Sequence, residues 1–456
     1  MMRKVLRSLC IVYCTVHNIV CFGFTHTNYW FPIVPISSYK FENPSKVTVL
    51  NKEFVVWKRN EHEFVVQDDK CPHRCAPLSE GYIDRVSGNL RCSYHGWEFN
   101  KNGFVQCLPQ SKTPYAYSGN DRLSVQTYDT CVYGDILWAF LGNKSAENSE
   151  YVNGHPFSLQ LIDGMTTMMR EVPYDYFILL ENLFDPAHVP FAHHKLQSTR
   201  DKGCPVQITV TCANSTGFSV LFTDKAMNCN GEDVRTGTMN LKFPCHYYLE
   251  ALYPKNGLLE RLHVFTVPVK KGKSRILIQT EYNKRHILYN IIRRIPEWIK
   301  HVLTNKFFDS DTLLLHEQER LLMEHRTEID DFTVQYNLMT ESDTSISRYS
   351  RWIKQVNGFR LPYFGKHLYE KKKDGDNVNR KSILNRYEQH TKRCVHCSKA
   401  LTVVERIQGY GGWIGVIVSF FLDEPIYAII GGVQWIVMER IREMLIFEDY
   451  IHNQVD

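Results

Sequence analysis

Two short segments of this chain each combine one cysteine with one histidine. Cys71 and His73 form a Cys-x-His pair, and Cys92 and His95 form a Cys-x-x-His pair, with 18 residues between the two pairs. Each pair offers one thiolate and one imidazole. In one type of iron–sulfur cluster, two Cys bind one iron and two His bind the other, which raises the reduction potential above that of an all-Cys cluster. The spacing therefore predicts a [2Fe–2S] cluster held by these four residues.

A Cys₂His₂ zinc site is the alternative for the same ligands. Zinc loops usually pair Cys with Cys and His with His at short spacing, which this arrangement does not do. Pro72 lies inside the first loop and Gly96-Trp97 follows the second histidine, a setting that favours an iron–sulfur cluster over zinc. Cys75 lies beside a ligand set that is already complete, so we expect a structural or redox-sensitive role for it.

A second group of metal ligands stands downstream, in residues 181–194, which read Glu-Asn-Leu-Phe-Asp-Pro-Ala-His-Val-Pro-Phe-Ala-His-His. Two histidines and a carboxylate with open positions define the facial triad of non-heme Fe(II) oxygenases. His188 and His193 supply the two imidazoles, about 140° apart on an ideal helix. We expect Pro190 to bend the chain so that both rings converge. His194 is expected to line a pocket, with Phe184 and Phe191, and core packing is the alternative and commoner role for such aromatics.

The third ligand should be a carboxylate far along the chain. Asp309 and Asp311 stand at the start of an apolar stretch with helical periodicity. The residues alone leave both open, because a surface helix start or a helix cap accounts for either one equally well.

Asp185 lies three residues before His188, on the same helical face. It is placed to accept a hydrogen bond from a ligand imidazole, which would fix the tautomer and tune the metal. A helix N-cap ahead of Pro186 is the alternative. Asn182, one turn earlier, is a weaker candidate for the same supporting role.

The elements that must position these residues fall into two regions. Residues 28–140 show short apolar runs separated by turn residues, which predicts an all-β module. Residues 141–350 predict an α+β domain in which long helices flank an antiparallel sheet. The predicted strands are Lys46–Leu50, Phe54–Trp57, Glu63–Val66 and Leu123–Val125 in the first region, and Gln207–Thr211, Gly217–Phe222, His246–Ala251, Glu260–Val267 and Arg275–Tyr282 in the second; the predicted helices are Tyr289–Val302 and Phe307–Glu324.

Composition narrows the class of protein. With 456 residues, 43% of them hydrophobic, the chain can bury large cores. A net charge of +5 is modest for this length and gives no argument for nucleic-acid binding. The 14 cysteines are spread along the whole chain, which favours a metalloprotein in a reducing compartment over a secreted disulfide scaffold.

Both ends differ from the middle. Residues 1–23 carry early basic residues and an apolar stretch, which predicts a signal-type targeting segment, with a signal anchor as the alternative. Residues 351–408 are expected to form a linker that contains Cys394-x-x-Cys397. Residues 409–456 hold two apolar runs of 13 residues, Tyr410–Leu422 and Ile426–Met438, each shorter than the roughly 20 residues of a spanning helix. They predict membrane-associated helices in a shallow hairpin, with a soluble helix pair as the alternative.

Three segments together resemble the Rieske non-heme iron oxygenases. They are Cys71-Pro-His-Arg-Cys-Ala-Pro-Leu-Ser-Glu-Gly81, Cys92-Ser-Tyr-His-Gly-Trp97 and Glu181-Asn-Leu-Phe-Asp-Pro-Ala-His-Val-Pro-Phe-Ala-His193. Within that family the chain looks like the plastid branch that includes pheophorbide a oxygenase, the Rieske component of the inner-envelope translocon and a protochlorophyllide-associated relative. Cys75 and His194 depart from the pattern of that branch.

The resemblance implies the architecture and the remaining site residues. It implies a Rieske domain of small antiparallel sheets, a helix-grip catalytic domain, a C-terminal apolar helical anchor and a homotrimer. It selects Asp311 as the third iron ligand and implies that Asp185 bridges His95 of the adjacent subunit to His188.

The resemblance also implies the activity and the partners. The implied activity is that of a monooxygenase at a plastid membrane, which uses O₂ at Fe(II) to oxygenate a chlorophyll-derived tetrapyrrole. The implied electron donor is reduced ferredoxin. The branch shares a C-terminal Cys-x-x-Cys, here Cys394 and Cys397, whose thiols would exchange with a thioredoxin; half of a zinc site and a chance pairing are the alternatives for this motif. A hydroxylase of another apolar substrate, or a redox-sensing component of an import complex, is the alternative function.

Overall fold

The computed structural model describes most of the chain between residues 29 and 452. The targeting segment expected at residues 1–23 lies outside the described part, as do residues 356–378 of the expected linker. The described residues are 29–117, 120–142, 159, 166–214, 217–224, 234–284, 286–324, 336–355 and 379–452.

Two antiparallel sheets build the first region. The larger has six strands in the order β1-β10-β9-β4-β3-β2, and the smaller has four in the order β5-β6-β7-β8. Predicted strands at 46–50, 54–57 and 63–66 are confirmed. The strand predicted at 123–125 is wrong, because Asn120 caps a 3₁₀ turn over Asp121–Leu123 instead. The strands are β1 Trp30–Pro35, β2 Ser45–Val49, β3 Lys52–Asn60, β4 Glu63–Asp68, β5 Tyr82–Ile83, β6 Leu90–Arg91, β7 Glu98–Phe99, β8 Val105–Cys107, β9 Thr127–Tyr133 and β10 Ile136–Phe140.

A seven-stranded antiparallel sheet forms the second region, in the order β11-β17-β16-β15-β14-β13-β12. All five strands predicted here are confirmed. Strands β11 and β14 were not predicted, because the first carries the charged Arg170 and Glu171 and the second is rich in Thr, Gly and Asn. The strands are β11 Met168–Val172, β12 Gln207–Asn214, β13 Gly217–Asp224, β14 Arg235–Lys242, β15 His246–Tyr253, β16 Leu258–Lys270 and β17 Lys273–Tyr282.

The helices that flank this sheet differ in their bounds from the prediction. Pro296 separates a short helix from one continuous helix of 28 residues, where the sequence predicted a break between 302 and 307. That polar stretch does not interrupt the helix, because Asn305 is buried and its side chain and carbonyl accept hydrogen bonds from Arg170. The helices up to this point are α1 Tyr176–Leu183, α2 Val189–Ala192, α3 Ile287–Ile292, α4 Glu297–Glu324 and α5 Thr344–Gln355.

The C-terminal segment is more ordered than a linker. From residue 379 onward it folds into helical turns that pack on both regions, and Val395 N–H donates to the Ser38 carbonyl (2.8 Å). The expectation of a linker at 351–408 is therefore wrong for residues 379–408, because a helical turn, a π-helical turn and the start of a long helix occupy them. These elements are α6 Arg380–Ile383, the π-helical turn Tyr387–Thr391, α7 Val395–Leu422 and α8 Ile426–Ile446.

Helices α7 and α8 form an antiparallel hairpin with apolar, exposed faces. Gly415 and Gly431 let the two backbones approach closely, since a Cβ on Gly415 would lie 2.8 Å from the Gly431 Cα. Around the tip, Trp413 is 71% exposed and Phe420 is 83% exposed. Among the described residues, neither these helices nor any other combines the length and the apolar character needed to cross a membrane. The expected anchor is thus corrected to a hairpin without a spanning segment.

A buried ion network fixes the position of helix α4. The Asp309 carboxylate lies between two guanidinium groups, Arg170 from β11 at 2.5 Å and Arg386 from the C-terminal segment at 2.5 Å. All three side chains are almost fully buried. Arg386 also pairs with Glu448 (2.9 Å). Because a buried charge is costly without its partner, the network locks the helix to the sheet and to the C-terminal segment.

We predict that Asp309→Asn destabilises the protein, because it leaves two buried arginines short of one negative charge. The expected loss is about 3 kcal/mol or more, measured as a fall in the denaturant midpoint. Asp121→Asn, which changes an exposed aspartate, is the matched control. Equal midpoints for the two variants would contradict the structural role of the network.

Candidate metal centres

The two Cys/His loops have the same local conformation. In both loops the cysteine N–H, of Cys71 or Cys92, donates to a carbonyl five residues later (2.8 and 2.9 Å). The fourth residue after each cysteine, Cys75 or Gly96, has a positive φ of 60° or 72° and donates back to the cysteine carbonyl. Cys75 therefore occupies the left-handed position of its loop and is exposed, as expected of a residue outside the ligand set.

The four predicted cluster ligands come together with their sulfurs inside and their imidazoles outside. Cys71 and Cys92 are each 2% exposed. The rings of His73 and His95 lie 4.5 Å apart, and His73 also stacks on Trp97 at 4.5 Å. Burial, together with the neighbouring Cys92, raises the pKa of the Cys71 thiol to about 12, so a metal is needed to hold it as the thiolate. The residues fit a Rieske cluster whose histidine edge faces outward.

The small sheet holds the loops against each other. The second loop is the connection between β6 and β7. Ser93 Oγ donates to the Glu80 carbonyl (2.6 Å) and so ties the two loops together. Gly81 must be glycine, because a Cβ there would lie 2.3 Å from the Arg91 carbonyl oxygen.

The second predicted site also forms. His188 Nε2 lies 3.2 Å from His193 Nε2, and His193 Nε2 lies 3.4 Å from Asp311 Oδ2. The third side of the triangle, His188 Nε2 to Asp311 Oδ1, is 3.9 Å. One atom from each of the three residues is thus within reach of a single ion.

The outer nitrogen of each imidazole is fixed by a hydrogen bond. His188 Nδ1 donates to the Asp185 carbonyl, and His193 Nδ1 donates to Ser310 Oγ (2.6 Å), whose hydroxyl donates to the Phe307 carbonyl. These bonds assign the proton of each ring to Nδ1 and leave two unprotonated Nε2 atoms facing each other. Two lone pairs at 3.2 Å repel unless a cation lies between them, so the donor set fits a metal. Ser310 was not predicted; its position next to Asp311 was the only signal.

A change of helix type lets the two histidines converge. His188 ends a 3₁₀ turn that starts at Pro186, and His193 follows the last residue of α2 as its C-cap. Neither residue lies in the middle of an ideal helix, so the separation of about 140° does not apply. Pro190 lies in the first turn of α2, where it causes no break, and not at a bend as expected.

Tertiary contacts separate the two candidate carboxylates. Asp309 is paired with Arg170 and Arg386, whereas Asp311 faces the histidines. The sequence suggested that both lie at a helix start. This is wrong, because both lie in the middle of α4. Burial raises the pKa of Asp311 to about 6, partly offset by the nearby His188. A buried carboxylate with this pKa gains its charge readily when a cation binds.

Asp185 acts as the N-cap, and its carboxylate does not accept the hydrogen bond of the His188 imidazole. Its Oδ1 accepts the Ala187 N–H (2.9 Å), as an N-cap does, and its Oδ2 lies 3.9 Å from His188 Nδ1, while the direct partner of that nitrogen is the Asp185 carbonyl. The carboxylate stays 36% exposed. Asn182 Nδ2 lies 3.5 Å from His188 Nε2, at the inner face of the site.

The three residues expected to line a pocket lie in different environments and do not form a common wall. Phe184 is fully buried in the core of the second region, against Phe218 and Tyr247, so the alternative of core packing is confirmed for this residue and the pocket role is wrong. Phe191 is 53% exposed. His194 Nδ1 accepts the Arg200 N–H (3.2 Å) and stabilises a turn outside the metal triangle.

The Cys-x-x-Cys at the start of α7 is buried, and both thiols are free. Two buried histidines, His301 and His390, lie against them. Elsewhere Cys204 is disulfide-bonded, which the expectation of reduced cysteines did not include.

Family models match two parts of the chain. The Rieske [2Fe-2S] domain matches residues 29–129, and the model described as pheophorbide a oxygenase matches residues 243–328. These matches cover the two Cys/His loops and the helix that carries Asp311.

Several plant proteins are similar over most of their length. The protochlorophyllide-dependent translocon component 52 of Arabidopsis thaliana is 30% identical, over 81% of this chain and 72% of that protein. Pheophorbide a oxygenase of Oryza sativa subsp. japonica is 25% identical, over 95% of this chain and 86% of that protein. Flavonoid 8-hydroxylase 2 of Ocimum basilicum is 28% identical, over 81% of this chain and 73% of that protein. All three are named as chloroplastic.

The fold is similar to that of a solved monooxygenase. The crystal structure of dicamba monooxygenase bound to dicamba has a TM-score of 0.55 and 17% identity, and the match covers 73% of this chain and 97% of that one. At this identity the likeness concerns the fold alone.

We predict that Ser310→Ala weakens iron binding at the triangle by about 10- to 100-fold, because His193 loses the acceptor that fixes its tautomer. The measurement is mononuclear iron content after dialysis against a graded chelator. Thr312→Val removes a neighbouring hydroxyl that bonds the Phe308 carbonyl and should leave the iron affinity unchanged. Unaltered retention in Ser310→Ala would refute the assignment.

Proposed function

This chain belongs to the Rieske non-heme iron oxygenases of the pheophorbide a oxygenase type, and from this premise we propose that it oxygenates a chlorophyll-derived tetrapyrrole. It is an oxidoreductase, a monooxygenase whose cofactors are a [2Fe–2S] cluster and a non-heme iron, with O₂ as co-substrate. The observation behind the proposal is the His188, His193 and Asp311 triangle, since a protein that only transfers electrons has no use for a second metal site with open positions.

Different residues of the chain serve electron entry and iron binding in this reaction. His73 and His95 present the outer edge of the cluster to a redox partner. His188, His193 and Asp311 would hold the iron, which supplies the O₂ chemistry when bound. A set of three protein donors would leave coordination positions of the iron available to O₂.

The substrate class rests on relatedness. Pheophorbide a oxygenase and the protochlorophyllide-dependent translocon component are both named for tetrapyrroles. The flavonoid 8-hydroxylase of basil is named for a different aromatic substrate. Hydroxylation of another flat apolar molecule is therefore the second candidate, and a redox-sensing import component is the third.

The test combines metal analysis with turnover. We expect about three irons per chain, two in the cluster and one mononuclear, and conversion of one substrate from a panel of pheophorbide, chlorophyllide, protochlorophyllide and a flavone with O₂ and reduced ferredoxin. Products are identified by mass, with ¹⁸O₂ to establish incorporation. His193→Ala should keep two irons and the cluster spectrum but lose all turnover. Two irons in the unaltered protein, or no product from any substrate, would refute the oxygenase assignment.

We propose that electrons pass from the cluster of one subunit to the iron of the next, and that Asp185 bridges the two. The exposed imidazole edge of the cluster and the partly exposed Asp185 carboxylate support a homotrimer in which His95 of one subunit faces Asp185 of the next. Asp185 would then link the cluster to His188, whose Nδ1 it already borders.

We predict that Asp185→Asn keeps all three irons but slows single-turnover electron transfer from reduced cluster to iron by at least about tenfold, because the charged link to the imidazoles is lost. Stopped-flow bleaching of the cluster gives the rate. Asp423→Asn serves as the control, since that exposed carboxylate follows the last residue of α7 at the tip of the hairpin. An electron-transfer rate equal to that of the control would contradict the bridging role of Asp185.

We also propose that the protein works at a plastid membrane. The names of its relatives support the plastid. The exposed apolar tip of the α7–α8 hairpin supports insertion into the interfacial layer of one leaflet, since contiguous exposed apolar patches mark interaction sites. Trp413 and Trp435, both exposed, are residues that favour the headgroup level.

We predict that the double variant Phe420→Ser/Phe421→Ser loses most of its binding to phosphatidylcholine vesicles with one fifth phosphatidylglycerol. Each ring buried in lipid contributes roughly 2 kcal/mol, so the partition coefficient should fall at least about tenfold in a flotation assay. Val86→Ser removes an apolar side chain that is 98% exposed elsewhere and should have no effect. Full binding by the double variant would contradict insertion of the hairpin.

A further inference from the structure

Four buried side chains form a third cluster of metal-binding groups, separate from the two iron sites. They are His301 on α4, His390 in the π-helical turn, and Cys394 and Cys397 at the start of α7. Their exposures are only 3%, 2%, 4% and 0%. One ligand atom from each residue lies within 4.8 Å of the other three.

The distances match the edges of a tetrahedron around one ion. His301 Nδ1 lies 3.4 Å from Cys394 Sγ and 3.6 Å from Cys397 Sγ, and His390 Nε2 lies 3.2 Å from Cys397 Sγ. Zinc binds sulfur at about 2.3 Å and imidazole nitrogen at about 2.0–2.1 Å, which gives a sulfur–nitrogen edge of about 3.6 Å in a regular tetrahedron. A set this compact suits one ion and not a two-iron cluster.

The surroundings of His390 match those of a metal ligand. Its Nδ1 donates to the Met169 carbonyl of β11 at 2.6 Å, which puts the proton on that nitrogen and leaves Nε2 free to face Cys397. A backbone carbonyl on the far nitrogen is the usual support of a metal-bound imidazole. The same arrangement supports His188 in the iron site.

We propose that His301, His390, Cys394 and Cys397 bind one structural Zn²⁺ ion. A tetrahedral S₂N₂ set selects zinc among the common divalent metals, and four protein ligands close the coordination shell, which is the pattern of structural and not catalytic sites. The Cys-x-x-Cys spacing is that of a zinc knuckle. The expected thiol exchange with thioredoxin accounts for neither the two histidines nor the burial of both thiols.

The ion would join three distant parts of the chain. His301 lies ten residues, or about 15 Å along the helix axis, before Asp311 on the same helix. Cys394 also forms an isolated antiparallel bridge with Tyr39 of the first region. The site therefore fastens the base of the α7–α8 hairpin to the helix that carries the iron ligand, while the tip stays free for the membrane.

The test is zinc analysis of the full-length holoenzyme, purified in metal-free buffer from cells supplied with iron and zinc. We expect one zinc per chain in addition to iron, and a Zn K-edge absorption spectrum with two sulfur neighbours at about 2.3 Å and two nitrogen neighbours at about 2.0–2.1 Å. Cys397→Ser and His390→Ala should lose the zinc while the cluster spectrum persists. Cys131→Ser, which alters a free cysteine in β9, and His193→Ala should each retain it.

Several results would overturn the proposal, and none depends on whether the variants fold, because the spectrum is taken on the unaltered protein. Less than a tenth of a zinc per chain would do so, as would a zinc spectrum with only oxygen and nitrogen neighbours. So would a Cys394–Cys397 link in the peptide map of the unreduced protein, with an intact mass lowered by the two lost hydrogens. The outcome is independent of oxygenase activity, so the two assignments can fail separately.

Discussion

The structure depends on one buried carboxylate shared by two buried arginines. Charges removed from water are costly unless they are paired, so Arg170, Asp309 and Arg386 can be buried only when β11, α4 and the C-terminal segment are all in place. This requirement fixes both the rotation and the axial position of α4. Asp311, two residues further on, then faces His188 and His193, and His301, two turns earlier, faces the Cys-x-x-Cys.

A single helix thereby sets the geometry of two metal-binding sites with opposite characters. The iron triangle offers three protein donors, which is the number that leaves coordination positions for O₂ in a facial triad. The proposed zinc site is closed and buried, which suits a structural role. The Rieske loops represent a third solution, in which buried sulfurs and outward imidazoles let electrons enter from a partner. Their positions follow from short strands and one glycine, without support from α4.

The two ends of the C-terminal segment differ in burial. Its base is held by Arg386, His390 and the cysteines, which are buried against both regions. Its tip exposes aromatic and aliphatic side chains on two helices that pack through glycines. A buried base and an exposed apolar tip are consistent with the proposed placement of the hairpin at a membrane surface.

Sites and elements whose residues lie close together in the sequence could be predicted from the sequence alone. The Cys-x-His and Cys-x-x-His pairs, the two histidines of 181–194 and most strands follow from spacing and alternation, because their partners lie a few residues away. Features that depend on distant residues required the folded chain.

Tertiary structure separated Asp311 from Asp309 by placing two arginines on the latter, and it placed Ser310 behind His193. It merged two predicted helices by burying Asn305. It also brought His301 to a Cys-x-x-Cys that begins 93 residues later. The choice of Asp311 over Asp309 could be made from the sequence only through resemblance to a family, and the other three features could not be predicted at all. Burial of a charge or convergence of ligands is a property of packed elements and leaves no periodic trace along the chain.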